Sequence, residues 1–74
     1  MKTRTFTAIV QKDRAGWSAF CPDLDVASQG ETVEQATANL REAVELFFEV
    51  ANPLEVERRL RSEIYLSQLE IQVG

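Results

Sequence analysis

Apolar and polar residues alternate at the start of the chain. Phe6, Ala8 and Val10 share one phase, while Thr5, Thr7 and Ile9 share the other. β-Branched and aromatic residues at a two-residue period predict a strand over residues 4–11. Lys12-Asp13-Arg14-Ala15-Gly16 is polar with a glycine at its end, which suits a hairpin connection. Trp17–Cys21 is the return strand, with Trp17, Ala19 and Cys21 set against Ser18 and Phe20. Pro22 stops it, because proline has no amide hydrogen for the ladder. Val26–Gln29 predicts a short third strand, and Gly30 releases the chain.

The period then changes. At about 100° per residue, Val33, Ala36, Leu40, Ala43, Val44, Phe47 and Ala51 fall within ~60° of Leu40, with Glu34, Glu42, Glu45 and Glu49 opposite. Such a stripe predicts a long helix lying against a sheet. Thr32 suits its cap, with Gln35 positioned to complete a capping box. Asn52-Pro53 ends the helix, since the residue before proline is pushed out of α geometry. The same pair can start another, with Asn52 as cap, Pro53 in the first helical position and Glu55 three residues after the cap, so a short helix is expected over about 53–61. Residues 63–73 suggest a last strand. Ile64 and Leu66 share one phase and Leu69, Ile71 and Val73 the other, which a bulge near Ser67-Gln68 would reconcile.

This succession, β-β-β-α-β with a helical turn before the last strand, predicts an α+β two-layer fold: an antiparallel sheet with one long helix packed on one face. At 74 residues the chain is expected to be a single domain over 1–74. A domain this short buries only about 60% of the surface of its unfolded chain, which makes self-association a common remedy. The net charge of −4 argues against direct binding of nucleic acid or an anionic membrane, because a phosphate backbone calls for a basic footprint. The single cysteine, the charged start and the lack of any apolar run near ~20 residues point to the cytoplasm and to no membrane span.

Two segments carry a resemblance. Gly16-Trp17-Ser18-Ala19-Phe20-Cys21-Pro22-Asp23-Leu24, followed by Ser28-Gln29-Gly30-Glu31-Thr32-Val33-Glu34-Gln35-Ala36, resembles the HicB-like antitoxin family over roughly residues 4–51. That resemblance implies a fold like a double-stranded-RNA-binding domain or a trimmed ribonuclease-H domain. It also implies a HicA-like toxin, an RNA-cleaving protein, as partner. Many HicB proteins add a C-terminal DNA-binding segment. The residues after the long helix here read as a helical turn and a strand, so operator binding is not implied.

Candidate chemistry is sparse. With no histidine, the commonest general base and metal ligand are absent. Cys21 sits in an apolar strand with no base beside it in sequence, which suits a buried thiol better than a nucleophile. Asp23 and Asp25 are the one close carboxylate pair. Turn chemistry explains them more simply than a Mg²⁺ site, which would need further carboxylates. Arg58, Arg59 and Arg61 are flanked by Glu55, Glu57 and Glu63, as on a solvated, locally neutralised helix. The expected protein has no catalytic residue, metal or cofactor. The minor alternative, a degenerate nuclease, would depend on Asp23.

Binding is the stronger expectation. Phe20, Pro22, Asp23, Leu24 and Asp25 form a strand end and turn suited to a toxin contact. If the helix covers the Phe6/Ala8/Val10 face, Ile9 and Phe20 lie on the sheet's outer face and, with Leu46, Phe48 and Val50 on the flanks of the helical stripe, suit an interface between copies. With the faces reversed, Trp17 is the exposed anchor instead. Leu46 projects ~120° from the centre of the stripe, so a single sheet cannot cover it. Either the 53–73 tail or a second chain must cover this flank, and the expectation is that the tail covers part and a subunit contact the rest. A homodimer or higher homo-oligomer is expected, and a stand-alone homo-oligomeric scaffold without a toxin is the alternative function.

Overall fold

The computed structural model describes residues 3–74. Its order is β1 (Ile9–Asp13), β2 (Gly16–Cys21), β3 (Val26–Gly30), α1 (Val33–Val50) and α2 (Pro53–Leu60). The three strands form an antiparallel meander with β2 in the centre. The helix α1 lies across one face, chiefly over β3 and β2, and meets β1 only at its margin. The expected α+β two-layer architecture is therefore present.

Two of the expected strands differ. The first runs 9–13, later than 4–11, because β2 has only six residues to pair with. Asp13 sits opposite Gly16 and Ile9 opposite Phe20, so residues 4–7 run past Cys21, the last residue of β2, and have no facing strand, while Ala8 is exposed. The connection is a two-residue turn, Arg14-Ala15. Asp13 secures it by accepting from the Ala15 amide at 2.9 Å and the Ser18 hydroxyl at 2.5 Å. The Ser18 bond, first, and the Ala15 amide hold the Asp13 carboxyl below its ordinary pKa.

The expected last strand over 63–73 does not form, and residues 61–74 are exposed throughout. A strand needs a neighbour to receive its backbone hydrogen bonds, and none lies beside this segment.

The sheet's two faces follow the expected alternation. Ala19 and Cys21 point under α1 and are buried with Leu24, Ala36 and Leu40. Phe6, Val10, Trp17, Val26, Val44, Phe47 and Leu60 pack around this core. Ile9 and Phe20 face away, each 38% exposed. Cys21 is the expected buried free thiol.

Helix α1 begins as its capping signature requires. The Thr32 hydroxyl accepts from the Gln35 amide at 3.0 Å, and the Gln35 side chain accepts from the amide of Glu31 rather than that of Thr32. Asn52 caps α2 by accepting from the Glu55 amide at 2.9 Å, with Pro53 in the first turn. Val33, expected on the buried stripe, is 37% exposed because the stripe meets the sheet only from Ala36 onward.

Candidate functional site

The turn between β2 and β3 is built by its own residues and clamped by two distant ones. Pro22 ends the ladder. The Leu24 amide then donates to the Cys21 carbonyl at 3.3 Å, closing the turn. Asp25 adopts φ +56°, a left-handed conformation that aspartate tolerates better than most residues. This geometry drives Leu24 inward until no part of it is exposed. Leu24 therefore closes the core and offers no surface to a partner, contrary to the contact role expected for it.

Asp23 has a structural task as well. Its carboxylate accepts from the Thr7 amide at 3.0 Å, tying the segment before β1 to the turn. The bond reaches sixteen positions along the chain rather than to local backbone, as simple turn chemistry would have it. Among the described residues, no group of three or more His, Cys, Asp or Glu side chains is placed to hold a metal ion.

The second clamp is Arg59. Its guanidinium donates from Nη1 to the Leu24 carbonyl at 2.5 Å and to the Asp25 carbonyl at 3.3 Å. The same group lies 4.9 Å from the centroid of the Phe47 ring and donates from Nε to Glu55 at 2.7 Å. One side chain thus fastens α2 to both the turn and α1. Sequence reasoning placed Arg59 in a solvated, neutralised cluster. That holds for Arg58, paired with Glu55, and for Arg61, paired with Glu57, but Glu63 pairs with none of them. Nothing local distinguishes Arg59 from its neighbours, since the two carbonyls it clamps lie 35 and 34 positions away.

Hydrogen bonds from Arg58, then Arg59, lower the Glu55 pKa from 4.5 to about 2. A folded-state pKa below the unfolded one adds stability that is fully present above pH 4.5 and lost as the pH falls towards 2. Both partners are solvent-facing enough for water to screen the effect. In acid titrations followed by circular dichroism, Glu55→Gln is expected to flatten the loss of helicity between pH 4.5 and 2. A curve overlaying the parent's would show that this ion pair does not hold α2.

What remains outward-facing is a compact patch. Phe20 and its cross-strand partner Ile9 lie side by side on the back of the sheet, and half-buried Pro22 and exposed Asp25 continue from the same strand end. Asp23 is half-buried beside them. The three flanking helix residues separate. Phe48 turns towards the segment before β1, its ring 5.8 Å from that of Phe6, and is 39% exposed. Leu46 and Val50 are uncovered at 55% and 73%. The tail does not fold back over them, so the expected partial tail coverage is absent; from α2, half-buried Leu60 packs against the core and Arg59 against Phe47.

No family model matches the chain, and no solved structure matches it. Two curated proteins are similar to it. A UPF0150 protein of Helicobacter pylori (strain J99) is 44% identical over 41 residues, covering 54% of this chain and 57% of its own length. A UPF0150 protein of Synechocystis sp. (strain PCC 6803) is 44% identical over 46 residues, covering 60% and 58%. The chain thus spans under two thirds of the length of these relatives, and their name states no activity or partner. No helix among the described residues is long and apolar enough to cross a membrane.

Proposed function

We propose that the chain is a non-catalytic binding module, a HicB-like antitoxin that docks onto a HicA-type RNA-cleaving toxin in the cytoplasm and occludes its active site. The observation that carries this reading is the clamped turn. A short acidic projection, held from one side by Thr7 and from the other by Arg59, presents Pro22 and Asp25 beside the apolar Ile9/Phe20 pair. An apolar centre with a charged rim is the usual anatomy of a protein contact. A basic, RNA-binding partner would be steered by the chain's negative charge. The segments that resemble HicB proteins are those that build this turn and dock α1 behind it.

Co-expression with candidate HicA-type toxins tests the reading through growth rescue and a co-purifying complex. Phe20→Ala is expected to weaken a complex about thirtyfold, from the ~2 kcal/mol typical of a central aromatic anchor. Asp25→Asn keeps a residue tolerant of the left-handed turn and removes only the charge. It is expected to slow association several-fold and reduce its salt dependence. Failure of every such toxin to bind or be neutralised would sink the proposal.

The extent of uncovered apolar side chain favours a second reading, a stand-alone homo-oligomeric scaffold, in which the Ile9/Phe20 face meets another copy. A toxin-indifferent assembly weakened by Phe20→Ala would select it.

A further inference from the structure

Residues 62–74 leave the body of the protein. Ile64, Tyr65, Leu66, Leu69, Ile71 and Val73 are 43–89% exposed. Among the described residues, no hydrogen bond joins positions 63–74 to any other part of the chain. The radius of gyration is 14.5 Å, against about 11 Å for a compact chain of this length. Yet Gln68-Leu69-Glu70-Ile71-Gln72-Val73 alternates polar and apolar without a break, the pattern of a half-buried strand. A strand sequence standing clear of its own sheet needs another sheet.

The body has a vacancy of matching kind. Because α1 lies over β3 and β2, the β1 half of the same layer is open, and a groove of about 550 Å³ runs between residues 3–8 and α1. Phe6, Leu40, Val44 and Phe48 contribute its apolar lining, and its charged rim carries Arg41, Glu45 and Arg4, the last lying over the Phe6 ring. Neither arginine has a carboxylate within 4.0 Å among the described residues, while the tail brings Glu63 and Glu70. β1 is an edge strand, and among the described residues no other strand pairs with its outer side. Backbone amides of an extended chain alternate sides, so with the Thr7 amide turned inward to Asp23, that of Ala8 faces out. The opposite edge is less available, because the Asn39 side chain donates to the Gln29 carbonyl there at 2.8 Å.

We infer that residues 63–73 are an exchanged arm that adds as a fourth strand to the β1 edge of a second copy, laying Leu69, Ile71 and Val73 into its groove. Reciprocal exchange closes a twofold dimer and leaves no arm unpaired. It supplies the neighbour that the strand expected over 63–73 lacks. It also enlarges a core in which, among the described residues of one copy, only Ala19, Cys21, Leu24, Ala36 and Leu40 are buried. The Ile9/Phe20 face lies on the other side of the sheet and stays open, so the inference stands whether or not a toxin is the partner.

Light scattering on the full chain and two variants tests this. Ile71→Lys alters an exposed arm residue, and Ala8→Pro removes an outward-facing edge amide at an exposed position, so neither disturbs the core. The full chain is expected to have the mass of a dimer, and each variant alone that of a monomer with unchanged helicity. An equimolar mixture is expected to regain dimers, because the intact arm of one variant finds the intact edge of the other. A monomeric full chain, a dimeric Ile71→Lys or Ala8→Pro protein, or a mixture that stays monomeric would each overturn the exchange.

Discussion

Leu24→Ala is expected to leave the free chain largely unfolded at room temperature. Among the described residues, Leu24 and Leu40 are the only large aliphatic side chains in a buried core otherwise made of two alanines and a cysteine. Truncating a fully buried leucine costs about 2–5 kcal/mol in lost transfer energy and residual cavity. A domain below about 70–80 residues seldom holds more than ~3–5 kcal/mol in all. The loss is therefore as large as the quantity it is taken from. Relaxation offers little relief, because the turn carrying Leu24 is pinned by Asp23 to Thr7 and by Arg59 to its own carbonyl. Urea titration followed by circular dichroism checks the effect, with Leu54→Ala as control. Leu54 is 78% exposed, and its loss should fall within about 0.5 kcal/mol of the parent. A Leu24→Ala protein that unfolds within ~1 kcal/mol of the parent would show that this side chain is not a main support of the fold.

The contrast between Leu24 and Leu40 shows what was legible in the sequence. Leu40 belongs to a repeating stripe, and periodicity announced its burial together with the helix that carries it. Alternation likewise separated Ala19 and Cys21 from Ile9 and Phe20, but only the packing of α1 decides which pair is inward. Leu24 stands alone between two aspartates in a turn, where there is no period to read. Its burial follows from the left-handed backbone at Asp25 and from clamps that reach across the chain. The strands show the other limit. Alternation marks residues 4–11 and 68–73 as strand-like, but a strand is a relation between two segments. Residues 4–7 run past the end of β2, and 68–73 have no neighbouring strand among the described residues of one copy. Local signals for caps were enough at Thr32 and Asn52, because a cap is satisfied within three residues. The candidate site was half legible: Phe20, Pro22 and Asp25 lie where a partner can reach them, whereas Leu24 is withdrawn and Arg59 passed for a solvated charge.

Gly30→Ala is expected to loosen the joint between sheet and helix. A Cβ at residue 30 would sit 2.6 Å from the Ala36 nitrogen, 2.9 Å from the Gln35 carbonyl carbon and 3.0 Å from the Ala36 Cα. All three are backbone atoms, so no side chain can swing aside and the first turn of α1 must lift from β3. That turn carries Ala36, which is completely buried. Its amide closes the first helical hydrogen bond, to the Thr32 carbonyl at 2.9 Å. Overpacking of this kind costs about 1–3 kcal/mol, a large share of what a domain this small holds. Two measurements separate the mechanism from general damage. Urea unfolding should shift to lower concentration, and hydrogen exchange should quicken at the Ala36 amide more than at amides late in α1. Unchanged protection at Ala36 would mean that the helix does not rest on Gly30. The glycine lets the helix come close enough to bury Ala36 against the sheet, and the turn that presents Pro22 and Asp25 is braced by the layer this contact holds together.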